Sequence, residues 1–348
     1  MKTLFAAALL LCAAAPAQGQ PAAAPPGPCV PAGPIRFVCG QAGPEDLVEV
    51  PGTRWLIASA YGSDGGIFLI DTRASSSTKL FPAAGVKENL DKKTYDTCPG
   101  PVPAADRQRF QTHGLYVKPG RDAQHTLYVV YHGVRESIEV FALDARTQPS
   151  LTWIGCAIAP DPVGLNSVAA LPDGGFVATN FDPRPAPGEK RAGPFTAALL
   201  EGRINGELWE WHTGTGWSKV PGSESAGANG VELSPDGRWY YVAQWGSRSF
   251  YRLSRGQAKV ERQEIPLGFR VDNVRWAPDG TLLVAGQGET TSVIGKVDPR
   301  SMTYRQIIDY PTSPALSAAT VAVQVGNELW AGSFRGDRIA VYPAAGIK

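Results

Sequence analysis

The chain has 348 residues, 43% of them hydrophobic, with 33 basic and 32 acidic side chains and a formal net charge of +1. That balance offers no basic field for nucleic acid and no bias toward an anionic membrane surface. The apolar content is ample for one large core.

At the start of the chain, Lys2, an apolar run and the small-residue segment Ala15-Pro16-Ala17 predict a secretory signal peptide over residues 1–17. The protein is therefore expected to be exported, periplasmic or secreted. Leu11 stands before Cys12 where a lipoprotein would carry a small residue, which argues against lipidation. Residues 18–35 read as a Pro/Ala-rich linker. Residues 36–345 read as one domain, and no other apolar run predicts a transmembrane segment in the mature chain. The cysteines beyond the signal are Cys29, Cys39, Cys98 and Cys156. An even number in an exported chain predicts two disulfides. Of the three connectivities, Cys29–Cys39 as a local clip and Cys98–Cys156 as a longer tie are favoured. A four-thiolate metal site is disfavoured by the irregular spacing.

One pattern recurs through the domain. Glu45, His113, Asn166, Asn229 and Asp272 each stand six residues before a proline: Pro51, Pro119, Pro172, Pro235 and Pro278. Each has an aliphatic residue two positions on, namely Leu47, Leu115, Val168, Val231 and Val274, and each proline is followed at once or after one Asp by glycine. Polar residue, short strand and tight turn thus repeat every 43 to 68 residues, and a weaker sixth copy starts near Thr320. Periods near 50 with several short strands per copy point to a propeller. The expected fold class is all-β, a six-bladed β-propeller whose radial sheets surround a central metal-binding tunnel. Helical periodicity is confined to FTAALLEGR near residue 195.

If the copies surround an axis, the polar residues converge on it. Glu45 and Asp272 then supply carboxylates, and Asn166, Asn229 and Asn273 supply amide oxygens. Hard oxygen donors with two formal negative charges suit Ca²⁺, and the absence of clustered thiols disfavours zinc or copper. His113 shares this register, and His132 ends the neighbouring antiparallel strand, so the two imidazoles are expected within hydrogen-bond reach. Beside a cation, such a pair suits a general base and the group that orients it. His125 and His212 fall in a turn and at a strand end, without an expected role. Trp245, Arg270 and Phe334 are candidates for the tunnel mouth, as are the loops 74–112 and 181–204.

The segments Glu45-Asp46-Leu47, Thr112-His113-Gly114-Leu115, LYVVYH ending at His132, Leu165-Asn166-Ser167-Val168, Ala228-Asn229-Gly230 and Val271-Asp272-Asn273 together resemble the paraoxonase/arylesterase family. More distantly the chain is similar to the gluconolactonase and regucalcin group. The resemblance covers residues 36 to 344, and its order and spacing are more specific than any one segment. It implies a calcium-dependent hydrolase of lactones or aryl esters acting on a small molecule, with His113 and His132 catalytic. It implies a first calcium on Glu45, Asn166, Asn229, Asp272 and Asn273. A second calcium would rest on Asp46, the backbone carbonyl of Leu115 and an Asp that is here Ser167, which puts that ion in doubt. The family's lid is replaced by the Pro-rich, charged stretch after residue 180. The rival expectations are a sugar-lactone hydrolase that makes no use of the histidines, a non-catalytic ligand-binding propeller, and a strictosidine-synthase-like lyase.

Overall fold

The computed structural model describes residues 28–343 apart from 63, 187, 192, 314 and 315. The expected signal peptide and the first part of the linker lie outside these residues. The chain forms a six-bladed β-propeller, in which each blade is built on antiparallel strands that follow one another outward from the axis, and in blade two the short strand Lys87–Glu88 adds a parallel outer edge to Ser150–Ile158. The innermost strands are Leu47–Glu49, Gln111–Lys118, Leu165–Ala170, Ala228–Leu233, Arg270–Trp276 and Ala319–Val325. Each packs against the next, and the sixth packs against the first.

The sixth blade is completed from the other end of the chain. Arg36–Cys39 pairs antiparallel with Arg338–Tyr342, matching Arg36 with Val341 and Cys39 with Arg338. This interlock closes the ring with backbone hydrogen bonds, and nothing in the repeat pattern announced it. Residues 28–35, read as linker, instead carry the Ala32–Ile35 bridge, and the Pro28 carbonyl accepts from Arg338 at 3.2 Å. The disulfide Cys29–Cys39 sits at this entrance, and Cys98–Cys156 ties the segment between blades one and two to the strand Ser150–Ile158 of blade two. Both pairings fit an exported protein. Among the described residues, no helix is long and apolar enough to cross a membrane.

Inner and middle strands are apolar on both faces because each blade is sandwiched between two others. The core is accordingly a set of layers between blades. Tyr240, Tyr251, Val231 and Leu171 fill the gap between blades three and four, and Trp330, Leu47, Leu56 and Ile339 that between six and one. All five aliphatic residues of the repeat, Leu47, Leu115, Val168, Val231 and Val274, are fully buried. The turns behave as their residues require: the Gly237 N–H donates to the Ser234 carbonyl at 2.8 Å, with φ at 68°, a left-handed conformation natural to glycine. Among the described residues, helix is limited to Ala197–Leu200, inside the expected segment, and a 3₁₀ turn at Ala104–Arg109 that the sequence did not suggest.

Candidate active site

A local irregularity turns the repeat's polar residues toward the axis. Strand pairing slips between Thr112 and Leu115, Leu165 and Val168, Ala228 and Val231, and Val271 and Val274. Each slip is a β-bulge, which frees His113, Asn166, Asn229, Asp272 and Asn273 from the ladder and re-aims their side chains. The bulges of adjacent blades pack closely. A Cβ on Gly114 would stand 2.3 Å from the Asn166 carbonyl oxygen, and one on Gly230 would stand 2.6 Å from that of Asp272. Glycine is therefore required after His113 and Asn229 for the ring of bulges to close.

Glu45, His113, His132, Asn166, Asn229 and Asp272 line one cavity of about 700 Å³ at the axis. Asn273 lies behind Glu45 and donates to its Oε1 at 2.7 Å. Four buried oxygens of this group have no hydrogen-bond partner: Glu45 Oε2, Asn166 Oδ1, Asn229 Oδ1 and Asn273 Oδ1. Buried acceptors without donors are costly unless something positive meets them. The carboxyls carry the same signature. Burial pushes Glu45 well above the usual range, with Asp46 and Asp272 adding repulsion, and burial pushes Asp272 up to about 7. Two disfavoured carboxylates and three acceptor-only amide oxygens fit a hard divalent cation. Among the described residues, no group of three or more His, Cys, Asp or Glu could hold a metal ion. Any ion here would rest largely on amides.

Beside this group the imidazoles form a chain. His113 Nδ1 and His132 Nε2 are 2.9 Å apart, and His132 Nδ1 is 2.9 Å from Glu136 Oε2. Glu136 is itself fixed by the Leu165 N–H, which donates to Oε1 at 2.7 Å. A carboxylate can only accept, so His132 donates from Nδ1 and accepts at Nε2, which makes His113 donate from Nδ1. The lone pair of His113 is then at Nε2, 3.3 Å from Asn166 Nδ2 and 3.6 Å from Glu45 Oε1. With Asn166 donating there, its Oδ1 is turned to the axis, in keeping with its unpartnered state. Burial, reinforced by His132, holds His113 well below the ordinary imidazole range, so it stays neutral. Glu136 escaped the sequence reading. The one available signal is its position four residues after His132, across a hairpin turn.

The second group expected from the resemblance is occupied differently. Asp46 Oδ2 accepts from the Leu115 N–H at 2.7 Å and from Arg275 Nη2, and the same Nη2 donates to the Leu115 carbonyl at 2.9 Å. Ser167 Oγ accepts from the Val231 N–H at 3.3 Å. The expected ligands Asp46 and Leu115 thus meet a guanidinium.

Over the cavity, Phe181, Phe195 and Trp245 pack edge to face or tilted, with centroids 5.3 to 5.9 Å apart, and Phe334 joins the lining. Arg270 stacks on Trp245 at 3.9 Å and does not line the cavity. Of the expected mouth loops, 181–204 contributes broadly and 74–112 only through Gln111, the rest of it lying elsewhere. The 181–196 wall is stapled by buried Asp182, which accepts from Thr196 Oγ1 at 2.6 Å, Arg191 Nη1 at 2.6 Å and Asn205 Nδ2 at 3.0 Å. Asp182→Ala should therefore raise KM several-fold and leave kcat nearly unchanged, and equal losses in both would place Asp182 in the chemistry. His125 accepts from the Gly120 N–H and His212 faces Glu210, both away from the cavity.

No family model and no curated protein matches the sequence. The fold has many solved counterparts. A gluconolactonase from Xanthomonas campestris aligns with a TM-score of 0.56 at 18% identity, over 92% of this chain and 99% of that one. The PQQ-bound aldose sugar dehydrogenase from Streptomyces coelicolor aligns at 0.55 and 13%, over 88% and 97%. Virginiamycin B lyase from Staphylococcus aureus aligns at 0.51 and 13%, over 88% and 98%. At these identities the likeness shows the fold alone, and these neighbours span three activities.

Proposed function

We propose that the protein hydrolyses lactones or aryl esters in the axial cavity. The observation that carries this reading is the chain Glu136–His132–His113, whose outer nitrogen, His113 Nε2, meets Asn166 Nδ2 at 3.3 Å beside four unpartnered buried oxygens. A scaffold has no need of a buried, oriented base beside such a group. Glu45, Asn166, Asn229, Asp272 and Asn273 would hold the cation, with calcium the ion their chemistry suits best. When bound, it would supply fixed positive charge for the oxygen that becomes an oxyanion.

His113 Nε2 takes a proton from the attacking water, and the hydroxide adds to the carbonyl carbon. As the adduct collapses, the ring or aryl oxygen departs and receives the proton back from His113. His132 holds His113 in the required tautomer and shares its positive charge, and Glu136 does the same for His132. Phe181, Phe195 and Trp245 keep bulk water from the reacting bond.

A panel of γ- and δ-lactones, phenyl acetate and gluconolactone, assayed with EGTA and again after calcium is restored, tests this reading. Turnover should be lost and recovered. His113→Gln should lower kcat by ~10²–10⁴-fold with KM little changed, and Glu136→Gln should act in the same direction by freeing the wrong tautomer. The absence of turnover on every substrate would favour a binding propeller.

The gluconolactonase likeness supports a second reading, in which a sugar lactone is opened with the metal alone. Full gluconolactone activity in His113→Gln would favour it.

A further inference from the structure

Below the axial cavity, Arg275 is buried and every edge of its guanidinium is engaged. Nε donates to the Leu47 carbonyl at 3.0 Å, and Nη1 to the Val274 carbonyl at 2.8 Å. Nη2 donates to Asp46 and to the Leu115 carbonyl, and Nη1 stands 3.5 Å from Glu232 Oε1. The partners come from the inner strands of blades one, two, four and five. One planar cation therefore joins four of the six blades at the axis.

We propose that the Arg275 guanidinium stands in place of a second metal ion, so that the hub takes one exchangeable cation and carries its other positive charge on a side chain. An ion held by Asp46 and the Leu115 carbonyl would need the same lone pairs that Nη2 already uses. The third donor such an ion would want, a second carboxylate, is also missing, because Ser167 offers a neutral hydroxyl already accepting from Val231. A guanidinium suits the place better than an ammonium would, since its rigid fork serves a carboxylate and several carbonyls at once without losing its charge on burial. The tethered cation also cannot be chelated. Removal of the exchangeable ion should leave the ring closed.

The inference concerns the number of ions and stands apart from whether the hub is catalytic. It is tested by equilibrium dialysis of the purified full chain against calcium chloride, with metal counted per chain by elemental analysis. Ser167→Asp combined with Arg275→Met vacates the place and restores an acidic ligand. That double variant, folded by circular dichroism, should bind one more calcium than wild type. A folded double variant with no gain overturns the inference, as does a wild-type count of two. Should the double variant fail to fold, Asp46→Asn serves: its count should equal that of wild type, and the loss of one ion overturns the inference. A wild-type count of zero would sink the catalytic reading and the exchangeable ion with it, while the gain of one in the double variant would still support the tethered cation.

Discussion

Asp272→Ala should bring hydrolysis down to background, a larger loss than that of the base variant His113→Gln. The comparison turns on what each residue does. A general base contributes ~10²–10⁴-fold, and its loss leaves the charge that stabilises the oxyanion in place. Of the five proposed ligands Asp272 and Glu45 are the two carboxylates, and an ion resting otherwise on amide oxygens should not survive the removal of Asp272. The variant should retain no stoichiometric calcium after dialysis, and kcat/KM should fall by more than about 10⁴-fold. Its stability should move the other way. Burial pushes the Asp272 carboxyl up to about 7 in the ion-free protein, so above that pH its charge opposes folding. In chelator at pH 8 the variant should melt at or above the wild-type temperature. Gln287, which donates to Asp272 Oδ2 at 2.8 Å, keeps its bond to the Ala319 carbonyl at 2.7 Å and is not orphaned. Wild-type turnover by Asp272→Ala, or full calcium content, would remove Asp272 from the ligand set and the cation from the mechanism.

The sequence conveyed the parts of this site that depend on repetition. The offset from polar residue to proline reflects the length of an inner strand between its bulge and its outer turn, so five copies in register made the convergence of Glu45, His113, Asn166, Asn229 and Asp272 legible without tertiary information. The nineteen residues from His113 to His132 span one hairpin, and the imidazoles accordingly meet at 2.9 Å. What escaped depends on contacts unique to one place. Arg36–Cys39 is too short to carry a pattern, and its partner lies some 300 residues away. Glu136 reaches back across a turn, which no strand or helix period encodes. Arg275 bonds to residues 160 and 229 positions distant. A trace of it was nevertheless present. Three positions after the repeat's polar residue, the copies carry Val48, Tyr116, Ala169, Glu232 and Arg275. Opposite charges at one register in adjacent copies, within otherwise apolar strands, mark an ion pair facing the axis.

That ion pair sets the second large effect, which falls on stability. Arg275→Ala should destabilise the protein by about 3–5 kcal/mol, the range for removing one partner of a buried pair. The loss exceeds that of an ordinary surface ion pair because almost nothing replaces the guanidinium. Asp46 keeps the Leu47 and Leu115 N–H donors at 2.8 and 2.7 Å, yet burial already pushes its carboxyl above the usual range with Arg275 present. The carbonyls of Leu47, Val274 and Leu115 lose a donor together, and burial has pushed Glu232 up to about 7 even beside the guanidinium. For a chain of this size the melting temperature should fall by on the order of 5–15 °C, with or without calcium. Arg275→Lys should recover only part of this, because an ammonium cannot reach acceptors in three directions. Asp46→Asn combined with Arg275→Met should be less destabilised than the sum of its single changes, since each removes the reason the other charge must be there. Strict additivity in that cycle, or an Arg275→Ala protein that melts with wild type, would mean that the hub does not depend on the pair and that the blades are held by their apolar layers alone.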